Sequence, residues 1–450
     1  VMRSDIFTNT APGTLRTLSG EYQSRYGLIS YETPSFIPNR LSDYPALTMR
    51  TMGAVNRASM AVARLSELGE RLPNPDLIRR PIMRREAQST SALEGTYERL
   101  ETVLAQDYEP GTNTSGLNES MREILNYIDA ADCGIRSIRD GRPITISLIR
   151  ELQQLLVHNT VSDNPQAGEI RNSQVFIGSP TRKIEDARFV PMPPGHDLNI
   201  AVQHLIDWWN SRTEPGLAML DMAMFHYQFE TLHPFTDGNG RIGRLLILLQ
   251  MMSRGLLHQP LLSVSSWFEQ QRSEYQDALF GVSTRGDWDT WVLMFCQGVE
   301  ESSEDALMRT SRLLFVREQY RKLITDHAYG NTVMETGMLF IGHPFLTVEQ
   351  LQRYIHKSPT ALRNALKRLE SLQLIEKHGH EYVAPDVLNA TMAPQGSPIV
   401  VDAPLALQQN ATKEKPQQSL LHRQSITDNH AVILCHQLIH QLIRRFSGRA

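Results

Sequence analysis

His233-Pro-Phe-Thr-Asp-Gly-Asn-Gly-Arg-Ile-Gly-Arg244 is the stretch of sequence that decides the fold. Within it, Gly238, Asn239 and Gly240 favour positive φ angles, which turn successive backbone N–H groups toward one point. The apolar run over residues 242–252 predicts a buried helix that begins just after them. Because the N-terminus of a helix attracts anions, the stretch predicts a phosphate-binding site.

The polar side chains of this stretch are those that nucleotide chemistry needs. Asp237 offers a hard oxygen ligand suited to Mg²⁺. Arg241 and Arg244 are three residues apart and share a helix face from which both can bind phosphate oxygens. His233 has a reference pKa of about 6.5, so its neutral imidazole can accept a hydroxyl proton near neutral pH. The loop is not a Walker A motif, since no Gly-Lys-Ser/Thr follows the glycines.

The stretch resembles the signature of the Fic family, H-x-F-x-[D/E]-G-N-G-R-x-x-R, at every specified position. Residues 225–232 and 286–291 are similar to family segments on either side of it. The resemblance implies a protein adenylyltransferase in which His233 deprotonates a Ser, Thr or Tyr hydroxyl of a target protein, or of the enzyme itself. The hydroxyl would attack the α-phosphate of ATP, and Mg²⁺ at Asp237 with the loop N–H groups and both arginines would neutralise the leaving pyrophosphate. The residues alone would also permit transfer of the γ-phosphate.

A second element lies upstream, in residues 84–96. Thr90 and Glu94 are four residues apart and therefore lie on one face of a predicted helix, which Gly95 would end or bend. The segment resembles the family's inhibitory helix, [S/T]-x-x-x-E-[G/N], whose glutamate pairs with the last arginine of the motif, here Arg244. The resemblance implies that Glu94 takes the place of the γ-phosphate. In some relatives this glutamate positions a water that removes AMP, and the sequence does not decide between inhibition and AMP removal.

Two short extended runs, residues 173–177 and 187–194, predict a β-hairpin. In the Fic family such a hairpin aligns a target segment by main-chain pairing, so the resemblance implies that a target protein docks near residues 173–194. A surface hairpin without a docking role is the alternative. Gly168-Glu-Ile-Arg171 resembles a family marker, and we interpret Arg171 as structural.

Composition indicates a multidomain protein with ample core. The 450 residues are 41% hydrophobic and carry a formal charge of −4, which gives no global bias toward nucleic acid. No run approaches the ~20 apolar residues that a membrane span needs. Three widely spaced cysteines, Cys133, Cys296 and Cys435, favour neither a disulfide framework nor zinc. With no apolar core of a secretion signal at the N-terminus, a reducing cytoplasm that supplies ATP is the expected location.

Helical spacing of apolar residues predicts a mainly α protein with the Fic fold, a helical bundle with a β-hairpin flap. The expected division is an N-terminal helical region over residues 1–109, with the inhibitory helix at about 84–95, and a catalytic core over 110–330. We expect two further regions: a winged helix over 344–392, and a low-complexity tail with a terminal amphipathic helix over 393–450. The helical segments of the core are predicted at 118–138, 146–158, 196–212, 217–232 and 267–280.

The predicted winged helix-turn-helix has amphipathic helices at 346–355 and 360–372 and a wing at 374–383 that turns at Gly379. Six Lys or Arg residues face five acids between residues 344 and 392. Since phosphate contacts supply much of DNA affinity, this near balance argues against strong DNA binding. DNA recognition, protein contact and homodimerisation remain open as roles of this region. A transcriptional regulator that senses nucleotides is the non-enzymatic alternative for the whole chain.

The C-terminal tail shows no evident chemistry. Residues 393–429 are rich in Pro, Gln, Ser and Thr and predict a linker or disordered segment, and residues 432–446 predict an amphipathic helix. His436 and His440 are four residues apart, a spacing that can bind metal. Without a third ligand in view, an ordinary helical surface is the favoured interpretation.

Overall fold

The computed structural model describes residues 2 and 4–394, apart from 25–26, 107, 110–113, 115 and 213. Its described residues form fifteen α-helices and five β-strands, which confirms the predicted mainly helical class. Among them, no helix is both long enough and apolar enough to cross a membrane. The predicted terminal helix at 432–446, with Cys435, His436 and His440, lies outside the described residues.

The elements have the following bounds. The helices are α1 (Met49–Glu70), α2 (Pro75–Leu93), α3 (Leu100–Ala105), α4 (Glu119–Arg139), α5 (Ile146–Val157), α6 (His196–Ser211), α7 (Ala218–Leu232), α8 (Asn239–Ser253), α9 (Ser265–Gln270), α10 (Arg272–Arg285), α11 (Trp288–Asp326), α12 (Asn331–Leu339), α13 (Val348–Tyr354), α14 (Pro359–Ser371) and α15 (Pro385–Met392). The strands are β1 (Gly13–Ser24), β2 (Gly27–Pro38), β3 (Phe345–Thr347), β4 (Glu376–His378) and β5 (Glu381–Val383).

Helices α7 and α8 form the centre of the core. Every residue of α7 except Glu230 is buried, and α8 is buried from Asn239 to Met251. A helix that is covered on all sides needs neighbours around its whole circumference. Helices α2, α4 and α5 pack on α8, and α1, α6 and α11 pack on α7. The motif between α7 and α8 is therefore held at both ends by buried helices.

Local signals explain why the core helices begin where they do. The side chain of Asn118 accepts a hydrogen bond from the N–H of Met121 at the start of α4, and Thr145 does the same for Leu148 in α5. The helices predicted at 118–138, 146–158, 196–212 and 217–232 match α4 to α7 within one residue at each end. The helix predicted at 267–280 is wrong, because Gln271 divides it into α9 and α10, which together run from Ser265 to Arg285. A break of one residue leaves the apolar spacing intact, so periodicity cannot reveal it.

The β-structure differs from the prediction. Residues 173–194 contain a single antiparallel bridge, between Ile177 and Phe189, in place of a two-stranded hairpin. Prolines at 191, 193 and 194 lack the N–H group that a strand ladder needs, so pairing stops there. The long hairpin is instead formed by β1 and β2, which the sequence analysis did not predict. A parallel bridge between Phe36 of β2 and Pro191 joins this hairpin to residues 173–194.

The C-terminal unit contains both predicted helices, α13 and α14, and the predicted wing, β4 and β5. Its three strands form one antiparallel sheet in the order β3-β5-β4, and Gly379 turns the wing with a φ of 63°. The preceding stretch contains α12, which the sequence analysis did not predict. The guanidinium of Arg309 on α11 donates to the carbonyl of Thr391 at 2.7 Å. Apolar residues of this unit belong to one continuous core with those of α7 and α8.

Candidate active site

His233 ends helix α7 in a strained backbone conformation. It has φ 50° and ψ 62°, the left-handed region, and its N–H donates to the carbonyl of Phe229 at 3.0 Å. The ring Nδ1 lies 3.2 Å from the carbonyl oxygen of Glu230. Because a carbonyl can only accept, Nδ1 must carry the hydrogen, and the lone pair of the neutral ring is on Nε2.

The environment of His233 keeps its imidazole neutral. Burial lowers the pKa of His233 to about 4, although its hydrogen bond to Glu230 and the charges of Glu94 and Asp237 act in the opposite direction. The side chain retains partial access to solvent. At neutral pH the ring is therefore a proton acceptor that a substrate group can reach.

The loop after His233 is braced by an asparagine. The side chain of Asn239 accepts from the N–H of Phe235 at 2.8 Å and donates to its carbonyl at 2.9 Å, while the Phe235 ring is fully buried. Only Gly238 of the three predicted positions has a positive φ, 83°. Helix α8 begins at Asn239, three residues before the predicted start at Ile242. The side chain of Asn239 thus bonds to the loop, and the backbone N–H of Asn239 can donate to an anion.

The first turn of α8 provides the expected donors for an anion. The opening N–H groups of an α-helix have no acceptor within the helix, and its N-terminus carries a partial positive charge. Here these groups belong to Asn239, Gly240 and Arg241. A side chain at position 240 would not fit, since an ideal Cβ there would lie 2.2 Å from Oε1 of Glu94. The carboxylate of Glu94 therefore lies directly against this turn.

Arg171 fixes the loop to the segment that carries residues 173–194. Its guanidinium is buried and donates to the carbonyl oxygens of His233 at 2.8 Å, Met192 at 2.6 Å and Ser173 at 3.1 Å. Burial lowers the pKa of Arg171 to about 10, so the side chain keeps its charge at neutral pH. The prediction that Arg171 is structural is confirmed, because all these contacts are to main-chain atoms.

Asp237 is a partly exposed carboxylate in the position predicted for a metal ligand. Its Oδ2 accepts from the hydroxyl of Ser162 at 2.6 Å and from Arg241 at 3.2 Å, and its Oδ1 accepts from the N–H of Gly238 at 2.7 Å. Burial alone would raise the pKa of Asp237, but the Arg241 charge and these hydrogen bonds hold it below the ordinary value. The side chain is 45% exposed. An ionised carboxylate that faces solvent fits Mg²⁺, which typically keeps waters and takes one or two protein ligands.

Arg244 is held by the helix predicted to be inhibitory. Its guanidinium donates to Oε1 of Glu94 at 2.7 Å, to the hydroxyl of Thr90 at 2.9 Å and to the carbonyl of Thr90 at 3.0 Å. Arg244 is buried, whereas the Glu94 side chain is 40% exposed. Burial would raise the pKa of Glu94, but Arg244 outweighs this effect and lowers it. The predicted contact between Glu94 and Arg244 is therefore present, with Thr90 as a second partner.

Arg241 has a carboxylate partner that the sequence analysis did not find. Its guanidinium lies 3.1 Å from Oε2 of Glu123 on α4, and the hydroxyl of Thr96 donates to the same oxygen at 2.8 Å. Glu123 is 118 positions from Arg241, so no local pattern could indicate the contact. Thr96 follows Glu94 by two residues, so the segment that holds Arg244 also contacts the carboxylate that holds Arg241.

Both arginines of the site are paired with carboxylates, and these negative charges oppose the entry of a polyphosphate. Arg241 and Arg244 face three carboxylates, those of Asp237, Glu94 and Glu123. An incoming anion would therefore meet the charge of Glu94 before it could reach Arg244. In the structure, the anion at the N-terminus of α8 is the protein's own carboxylate.

Two parts of the chain match known protein families. Residues 52–136 match the family described as Fic/DOC family N-terminal, and residues 143–251 match the Fic/DOC family. The protein adenylyltransferase Fic of Drosophila willistoni is 32% identical over 228 residues, which are 50% of this chain and 40% of that protein. The corresponding protein of Drosophila mojavensis is 30% identical over 250 residues, 55% of this chain and 44% of that protein.

A crystal structure of a Fic family protein from Desulfovibrio desulfuricans G20 aligns with 76% of this chain and 98% of its own, at 20% identity and a TM-score of 0.49. The chain spans less than half the length of the two Drosophila relatives. The matched ranges include α2 with its C-cap residue Glu94, and the whole motif from His233 to Arg244. Residues 143–251 are therefore similar to a Fic domain, and residues 52–136 to the region that precedes it in that family.

Proposed function

We propose that this protein is an adenylyltransferase that transfers AMP from ATP to a Ser, Thr or Tyr hydroxyl of a target protein, and to itself. The observation that carries the proposal is the proximity of a neutral imidazole, His233, to an anion site at the start of α8. Relatives named protein adenylyltransferase support ATP as the substrate and the α-phosphate as the point of attack.

In the proposed reaction the acceptor hydroxyl gives its proton to Nε2 of His233 while its oxygen forms a bond to the α-phosphorus. The bond between that phosphorus and the bridging oxygen breaks, and pyrophosphate leaves. N–H groups of the first turn of α8, with Arg241 and Arg244, neutralise the charge that develops on the phosphates. The strained backbone of His233 and its bond to Glu230 hold the ring in one orientation, so the base needs no reorganisation.

Mg²⁺ fits this site through Asp237, whose carboxylate would hold the ion beside the phosphates. When bound, the ion would neutralise phosphate charge and orient the leaving group. Ser162 donates to Asp237 and orients its carboxylate, so it is a positioning residue for the metal ligand. Gln153 supports the same residue by a bond of 3.1 Å from its side chain to the Asp237 carbonyl.

Inhibition by Glu94 is the second part of the proposal. Its carboxylate and the γ-phosphate of ATP would compete for Arg244 and for the first turn of α8, since both present anionic oxygens. Thr90 of α2 also accepts hydrogen bonds from this guanidinium, and these bonds hold the side chain of Arg244 against α2. ATP would then bind in a productive orientation only when Glu94 moves away.

The proposal also covers residues 173–194 and the unit over residues 344–392. We place target docking near residues 173–194, because Arg171 fixes this segment to the carbonyl of His233. The unit over 344–392 is proposed to be a winged helix, since two helices and a three-stranded sheet follow in the expected order. Its near balance of charge favours protein contact over strong DNA binding.

The test of this function is to incubate the protein with Mg²⁺ and ATP that carries a label on either the α- or the γ-phosphate. We expect protein-bound label from α-labelled ATP, no protein-bound label from γ-labelled ATP, and loss of labelling after chelation of Mg²⁺. A cell lysate added in parallel would provide targets. Label retained from the γ-phosphate alone would identify a kinase reaction and contradict adenylyl transfer.

The pH dependence of transfer follows from the pKa of His233. Only the neutral imidazole accepts a proton, and burial lowers its pKa to about 4, so the rate should stay level down to about pH 5 and fall as the pH approaches that pKa. A histidine with an ordinary pKa of about 6.5 would lose activity near that pH instead. The measurement is the initial rate of self-labelling of Glu94→Gly against pH.

A matched control separates His233 from a neighbouring acid. Burial raises the pKa of Glu230 to about 8, so this group also titrates within the range of the experiment. Glu230→Gln resembles the protonated form of that acid and should leave the acidic limb of the profile in place. An acidic limb with its midpoint near pH 6.5 in both proteins would mean that burial does not lower the pKa of His233 as proposed here.

A further inference from the structure

A buried carboxylate on α2 has no part in the proposed reaction. Glu86 is only 2% exposed, and its Oε2 accepts from the hydroxyl of Ser263 at 2.8 Å and from the N–H of Ser265 at 3.1 Å. Its Oε1 accepts from the hydroxyl of Ser265 at 2.5 Å. A fourth hydrogen bond joins α2 to the same segment, between the hydroxyls of Ser89 and Ser266 at 3.1 Å.

The position of Glu86 on α2 relates these contacts to the active site. Glu86, Thr90 and Glu94 follow one another at intervals of four residues, so they lie along one face toward the C-terminal end of α2. Thr90 and Glu94 contact Arg244, while Glu86 contacts the segment that leads into α9. This face is therefore attached to the body of the protein at two places, of which only one is in the anion site.

The contacts of Glu86 are of the kind that fixes a helix in rotation. Hydrogen bonds to a charged acceptor are the stronger ones, and a buried carboxylate that loses its donors is costly. A shift of α2 by one residue would turn the face by about 100° and separate Glu86 from Ser263 and Ser265. The rotation that satisfies Glu86 is the rotation that brings Glu94 to Arg244.

We propose that Glu86 is a positioning residue of inhibition, which fixes α2 against Ser263 and Ser265 and thereby places Glu94 on Arg244. The inference rests on the proposed inhibitory role of Glu94 and extends it to a residue outside the nucleotide site. Weakening this attachment would open the site without any change to a group that contacts ATP, Mg²⁺ or the acceptor.

The test compares the self-labelling rate of Glu86→Gln with that of wild type, using α-labelled ATP and Mg²⁺. Glutamine keeps the shape of the side chain but removes its charge and cannot accept from every donor. We expect a rise of roughly tenfold, the effect of weakening hydrogen bonds to one buried charged group. Glu67→Gln is the matched control, because Glu67 is an exposed glutamate on α1 whose side chain is 61% exposed, and its labelling should remain at the wild-type rate.

The double variant Glu86→Gln/Glu94→Gly separates positioning from general loosening. If Glu86 acts through Glu94, the double variant should label at the rate of Glu94→Gly alone, whatever its melting temperature. An equal fold increase in both backgrounds would show that Glu86 acts independently of Glu94 and would overturn the inference. Unchanged labelling of Glu86→Gln, with Glu94→Gly activated, would overturn it as well.

Two further results keep the inference separate from the proposed function. If Glu94→Gly labels no faster than wild type, Glu94 is not inhibitory. The proposed role of Glu86 is then contradicted as well, because it depends on Glu94. Should Glu86→Gln not fold, Ser265→Ala removes one donor to Glu86, the hydroxyl, and leaves the N–H of residue 265 in place. A rise in labelling is expected from the loss of that hydroxyl. A folded Ser265→Ala that labels at the wild-type rate would contradict the proposal.

Discussion

His233→Ala should abolish AMP transfer while nucleotide binding remains largely intact. The imidazole acts on the acceptor hydroxyl, and the phosphates are held by the first turn of α8 and by Arg241 and Arg244. General-base catalysis typically contributes about 10² to 10⁴-fold, so the labelling rate should fall by roughly that factor. The measurement is self-labelling from α-labelled ATP, with ATP affinity determined separately by calorimetry.

The comparison is made in the Glu94→Gly background, where the activity to be lost is largest. His196→Ala is the matched control, because His196 is exposed at the start of α6. This control should label at the rate of its parent. If His233→Ala keeps the parental rate while binding ATP normally, His233 is not the base.

Glu94→Gly is expected to raise self-labelling well above wild type. The change removes the carboxylate that occupies Arg244 at 2.7 Å and leaves two arginines facing two carboxylates, so that phosphates can enter. Because the Glu94 side chain is 40% exposed, solvent screens the pair in part. We take its contribution as about 1.4 to 2.7 kcal/mol, which corresponds to a rise of roughly 10- to 100-fold.

Two companion measurements define what Glu94 does. Glu94→Gln removes the charge but keeps the side-chain length, so it controls for the added backbone freedom of a second glycine beside Gly95. AMP release is followed on purified modified protein, because Glu94 could instead position a water for AMP removal. Release by wild type that is lost in Glu94→Gly would assign that role. If neither labelling nor release responds, Glu94 has no regulatory function.

The sequence was most informative where the chemistry is local. The motif from His233 to Arg244 is one continuous stretch of sequence, and Thr90 and Glu94 are only four residues apart. The contact of Glu94 with Arg244 was expected from the family resemblance. The start of α8 was predicted three residues late, because a helix of mostly polar first residues shows no apolar periodicity. Gly238 alone provides the left-handed turn that three residues were expected to share.

Contacts between distant segments could not be predicted from spacing. Glu123 is 118 positions from Arg241, Ser162 is 75 positions from Asp237, and Glu86 is 179 positions from Ser265. Each pair meets only when separate elements pack together, as α4 and α8 do for Glu123 and α2 and α9 do for Glu86. The hairpin of β1 and β2 is local in sequence and was missed all the same, and the N–H of Phe36 in β2 donates to the carbonyl of Val190 in a distant segment.

The central claim is that one site, with His233 as base and Glu94 as inhibitor, transfers AMP. The most direct measurement is the labelling of wild type, Glu94→Gly and Glu94→Gly/His233→Ala side by side, with α-labelled ATP and Mg²⁺. The claim predicts weak label in wild type, strong label in Glu94→Gly and no label above background in the double variant. Equal labelling of Glu94→Gly and the double variant would contradict it.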